Sequence, residues 1–97
     1  MKKVEGITKD LKATERFVDE TSVILNKLCD WKIAQTVSQH SPRREDVLAE
    51  LEKFKNIALR AEKDGIINEF FVQAQARNVI EAFKMLSDIV PELNKLQ

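Results

Sequence analysis

At 97 residues the chain suits one domain, residues 1–97, and its 43% apolar and 33% charged residues allow a buried core beneath a polar surface. Only two glycines and two prolines argue against a turn-rich all-β fold and for long helices. Sixteen Lys and Arg balance sixteen Asp and Glu, which removes the whole-chain electrostatic case for nucleic acid or an anionic membrane, and a lone cysteine, Cys29, excludes an internal disulfide.

The first expected element is a helix from about Thr8 to Gln39, a stretch without Gly or Pro. Leu11, Val18, Leu25 and Leu28 recur at heptad-like spacing, with Thr14 and Thr21 among them and Lys32 and Gln35 at the far end of the stripe. Some 30 residues at about 1.5 Å each make a rod of roughly 45 Å, longer than one small globule covers evenly. A homodimer is therefore expected.

"HSP" closes that helix, because the residue before Pro42 is pushed out of the α region. Ser41 then reads as the N-cap of a second helix, with Pro42 at its first position and Glu45 and Asp46 in its first turn. This helix runs to about Lys63 with Val47, Leu48, Leu51, Phe54, Ala58 and Ala61 inward, and Asp64-Gly65 stops it. A third helix is expected from about Ile66 to Ile89. Its stripe is Val72, Ala76, Val79, Phe83 and Leu86, widened by Phe71, Ala82 and Ile89. Pro91 either ends it or opens a short terminal segment. The fold class is all-α, a three-helix unit of long, short and long helices.

Polar residues on apolar stripes point to chemistry. Lys32 lies on the first stripe, and one turn back along the second helix's stripe from Leu48 and Leu51 lies Arg44. Together with the free backbone N–H groups and positive dipole end of the second helix, they suit one carboxylate or phosphate. The plainer alternative is that Lys32 extends past the core and Arg44 pairs with an acid.

Four short stretches carry a family resemblance: "WK" (Trp31-Lys32), "SPRRE" with Arg44 and Glu45, "VLAEL", and "FFVQAQARNVIE" with Gln73, Ala76, Ile80 and Glu81. In this order and spacing they resemble the all-helical chorismate mutases. The resemblance covers roughly residues 17 to 83. It implies an isomerase of aromatic amino acid biosynthesis, with Lys32, Arg44 and Glu81 as catalytic contacts and no cofactor or metal. It further implies Thr21, Gln35, Glu45, Gln73 and Arg77 as substrate contacts on a small dicarboxylate. The reaction is one pericyclic step, so cations at fixed spacing do most of the work. Thr21 stands where the family has a carboxylate-binding arginine, and Ser41 where it has an aspartate. Arg binds a carboxylate bidentately and Thr does not, so binding with weak rearrangement of chorismate to prephenate is what the resemblance implies. On a helical wheel Glu81 shares a face with Phe70, Ala74 and Arg77, nearly opposite the Val72-Val79-Phe83 stripe.

The rival reading is a non-catalytic helical-bundle module for protein–protein interaction. A mutase requires a closed pocket lined by Lys32, Arg44 and an acid or amide. A module leaves those residues in water or in salt bridges and exposes an apolar groove. His40 has no Cys or second His at ligand spacing, and Cys29 has no paired His. The start, "MKKVEGITKDLKATE", has no apolar signal region, which predicts a cytoplasmic protein unless a leader was trimmed. No apolar run approaches the ~20 residues of a membrane span.

Overall fold

The computed structural model describes residues 2–66 and 69–96, with side chains from Leu11 onward. It contains three α-helices, α1 (Lys2–Val37), α2 (Arg44–Lys63) and α3 (Phe70–Lys84), followed by a short 3₁₀ helix, Pro91–Lys95. The described residues include no β-strand, and none of their helices is long and apolar enough to cross a membrane.

α1 sets the shape. Its 36 residues span about 54 Å at 1.5 Å per residue, and the molecule measures 55 × 23 × 20 Å. The radius of gyration is 15.2 Å, against about 12.5 Å for a compact chain of this length. α2 has 20 residues and α3 only 15, so the third helix is the shortest and not the second long one expected, because the chain turns after Lys84. Both lie along α1, yet their backbones scarcely approach one another. Side chains close the gap, most plainly where the Phe54 and Phe83 rings sit 6.1 Å apart.

The seam of α1 keeps Thr21 and Leu28 of the stripe expected from sequence but otherwise departs from it. Leu11 is 59% exposed, and the buried residues are Phe17, Thr21, Ile24 and Leu28, with Trp31 packed half-buried against them. These positions alternate in steps of four and three, which is also a heptad spacing, and Phe17, Ile24 and Trp31 each lie one residue before Val18, Leu25 and Lys32 of the expected stripe. One residue is about 100° of rotation, so the Val18 and Leu25 column lies on the flank of the seam. α2 and α3 both dock on α1, and the line between those two partners decides which column is sealed.

Two apolar clusters result. One joins Ile24 and Leu28 to Val47 and Phe54 of α2, to Val79, Ala82 and Phe83 of α3, and to Leu86, Val90 and Leu93 of the C-terminal segment. The other is smaller, with Phe17, Ala61, Ile66 and Val72, and Ile57 and Ala76 pack against both. Burying a side chain such as Leu28 is worth about 1.5–3 kcal/mol.

Element ends depart from expectation for local reasons. α1 begins earlier than Thr8 and ends at Val37, where Gln39 takes a left-handed φ of 56°. α2 starts at Arg44 with Arg43 as N-cap, two residues later than a Ser41 cap would give. The Ser41 hydroxyl accepts a hydrogen bond from Gln35 (3.4 Å) and so does not cap the helix. Glu45 and Asp46 do occupy the first turn. The α2 terminus is as read: Gly65 has φ 80°, its N–H donates to the Glu62 carbonyl, and that of Ile66 donates to Ala61. This is a Schellman ending, with Ile66 buried back against Ala61. α3 starts at Phe70, so it is shorter at both ends than the span from Ile66 to Ile89, of which residues 67 and 68 lie outside the described residues. After Lys84 the chain turns, and the Leu86, Ser87 and Ile89 N–H groups donate three residues back. Pro91 opens the terminal 3₁₀ helix, where its missing N–H and preset φ cost nothing. Leu48 and Phe71, expected inward, are 37% and 73% exposed.

Candidate functional site

Three of the eight site residues singled out from sequence, Lys32, Gln35 and Arg44, bond at the end of the bundle where α1 and the start of α2 meet the C-terminal segment. The Lys32 ammonium donates to Gln35 Oε1 at 3.1 Å, and the Gln35 amide donates to the Asp88 carboxylate. Arg44, half-exposed on the first turn of α2, donates to Glu92 through both terminal nitrogens, at 3.2 and 2.9 Å. This fork-to-carboxylate geometry is the pairing that a bound carboxylate would make. It raises the Arg44 pKa and holds that of Glu92 below the usual carboxylate range. The protein's own acids, Asp88 and Glu92, therefore already sit against the candidate amide and cation.

Other expected contacts lie elsewhere. Thr21 is fully buried; its hydroxyl donates to the Phe17 carbonyl at 2.6 Å and accepts from the Gln75 amide at 3.2 Å. A threonine bonding to the carbonyl four residues back is at home inside a helix, and this one presents no surface to a ligand. Gln73, Arg77 and Glu81 are exposed on α3, and Glu81 lies 3.9 Å from Lys84. Glu45 is exposed in the first turn of α2. None of the hollows described below is lined by Lys32 or Arg44. Trp31 packs on the core beneath the Lys27 ammonium, 5.5 Å from the ring centroid. Cys29 is half-buried and His40 exposed.

Glu50 is a buried charge that the stripe reading passed over. It interrupts the sealed α2 set of Val47, Phe54 and Ala61, in the same alternation of threes and fours, and a charge inside such a pattern is its signal. Its carboxylate accepts from Lys27 at 2.8 Å and Lys53 at 3.3 Å. Burial by itself would raise its pKa, but the two ammonium groups outweigh that and hold it low.

Among the described residues, hollows open at three places on α1 and α2. One of about 400 Å³ lies between α1 and α2, bordered by Val23, Ile24, Lys27, Glu50, Lys53 and Ile57. An open one of about 340 Å³ runs along α2 over Phe54, Ala58 and Leu59, flanked by Lys55 and Glu62. The third, about 230 Å³, lies toward the other end between α1 and the C-terminal half of α2. Large apolar side chains are also exposed on all three helices: Val23, Ile33 and Val37 on α1, Leu59 on α2, and Phe70 and Phe71 on α3. No family model, curated protein or solved structure matches the chain.

Proposed function

We propose that the chain is a non-catalytic helical interaction module whose partner is a second copy of itself. The observation that carries this is that α2 and α3 both dock on α1 with little backbone contact between them, and that the flank of α2 turned away from α1 carries an open apolar hollow. On the wheel, Ala58 and Leu59 turn away from the α1-facing set of Glu50, Ile57 and Arg60. That flank is the apolar hollow over Phe54. Four-helix packing seals an edge of this kind. A second copy suits it for two reasons. α1 outruns α2 and α3 by more than 20 Å of helix and carries exposed Leu11, Val23, Ile33 and Val37. The chain is also electrically neutral overall, with both signs along its helices, so two copies approach without net repulsion.

Sedimentation equilibrium at tens of micromolar tests the reading. The expected result is a dimer mass, weakened at least tenfold by Leu59→Glu with helix content and thermal midpoint retained. A monomer at these concentrations overturns self-association. If a monomer instead binds a foreign amphipathic helix saturably, the module stands and its partner is heterologous.

A second reading rests on the polar end. Gln35 and Arg44 are met there by Asp88 and Glu92, while Lys32 bonds to Gln35, so protein carboxylates occupy two of the contacts that a dicarboxylate such as chorismate would make. Binding has to displace them. Prephenate should then raise the thermal midpoint, since a ligand that binds only the native state stabilises it. Arg44→Ala should abolish the rise, and its absence from the unsubstituted protein sinks this reading.

A further inference from the structure

The hollow between α1 and the end of α2 has a composition that neither reading above uses. Its apolar wall is made by Phe17, Ile57, Ala61 and Ile66, and its rim carries Lys12, Arg16 and Arg60. Phe17, Ala61 and Ile66 are each no more than 3% exposed. Lys12 and Arg16 sit one turn apart on α1, and α2 places Arg60 across from them.

The rim is only partly neutralised. Glu20 accepts from Arg16 Nε at 3.1 Å and from Arg60 Nη2. Burial works to raise the Glu20 pKa, but the two guanidiniums lower it on balance, so the carboxylate stays charged. Each guanidinium has five N–H donors, and among the described residues Glu20 engages one from each. Asp64 is the one acid lining the hollow. Three cations against Glu20 and Asp64 leave a single positive charge beside an apolar floor.

We propose that this hollow binds a small aromatic monocarboxylate, with its ring against the half-buried Ala13 and Ile57 over the floor of Phe17, Ala61 and Ile66, and its carboxylate on Lys12 and the free donors of Arg16 and Arg60. Size and charge select the class. A volume of about 230 Å³ is below the roughly 300–1,000 Å³ of drug-sized pockets. It admits one ring with a short acidic arm and excludes a nucleotide. One carboxylate matches the surplus charge, whereas a multiply charged phosphate would meet Glu20 and Asp64 at close range. Arg supplies the planar fork that a carboxylate fits, and Lys a mobile point charge.

Titration of the full chain with benzoate, followed by amide resonances in two-dimensional NMR, tests the site. Saturable shifts confined to residues near Ala13, Phe17, Ala61 and Ile66 are expected. Benzamide, with the ring and no charge, should bind at least tenfold more weakly. Acetate, with the charge and no ring, should not saturate over the same range. Lys12→Gln should weaken benzoate at least threefold, and Ala13→Leu, which fills the hollow from a half-buried position, should abolish binding with the thermal midpoint retained. Equal affinity for benzoate and benzamide overturns the proposal, as do shifts centred on Lys32 and Arg44 or no saturable shift. Self-association read by sedimentation is independent of each outcome.

Discussion

Replacing Glu50 by glutamine tests how a buried charge behaves when its partners remain in water. The Glu50 side chain is 5% exposed, while those of Lys27 and Lys53 are 48% and 64% exposed. Breaking a buried pair usually costs about 3–5 kcal/mol, because it leaves a second charge stranded in the interior. Here nothing is stranded: both ammonium groups are free to hydrate. Glutamine preserves the volume and one acceptor, so the loss is that of charge assistance in two partly solvated bonds. Screening by water places it at about 1 kcal/mol, or about 4–8 °C in thermal midpoint for a domain of this size. The pH dependence gives a sharper check. A carboxyl whose native pKa lies below its unfolded value stabilises the fold at pH above the ordinary glutamate value of about 4.3. That contribution disappears as the pH falls through the lowered native value. Glu20 and Glu92, also lowered, titrate in both proteins and cancel in the difference. Urea unfolding of the two proteins should therefore differ by about 1 kcal/mol at neutral pH and converge as the solution is acidified toward about pH 3. A deficit of about 3 kcal/mol or more, or one that persists undiminished in acid, refutes the reasoning.

Thr21→Arg, which installs the arginine of the resembling family, should cost at least about 3 kcal/mol. It forces a charge into a fully buried site whose hydroxyl already serves Phe17 and Gln75, and a denaturation midpoint close to that of the parent would contradict the burial. Gln39→Gly should stabilise the protein by about 0.5–1 kcal/mol, since a left-handed φ penalises a side chain more than the flexibility of glycine costs. A lower midpoint in differential scanning calorimetry would show that the Gln39 side chain contributes something the backbone argument misses.

The helical class, the presence of three helices and the Asp64-Gly65 stop were legible in the chain because they depend on local physics. Scarce glycine and proline, a 3.6-residue apolar period and a residue free to adopt positive φ each act within a few positions of themselves. The polar end was legible in part: Lys32 and Arg44 were singled out as interruptions of apolar stripes, but Asp88 and Glu92, which meet Gln35 and Arg44, lie more than forty residues further along. The α1 seam was legible only in Thr21 and Leu28. Val18-Leu25 and Phe17-Ile24 are adjacent heptad columns of similar apolar content, and only docking of α2 and α3 seals the second, leaving Leu11 in water and Thr21 in the core. The rim of Lys12, Arg16 and Arg60 was not legible; it exists because α2 returns along α1 and places its last turns over Phe17. Periodicity is a property of one helix, and which face of that helix is buried, and which charges meet across it, is a property of the pair.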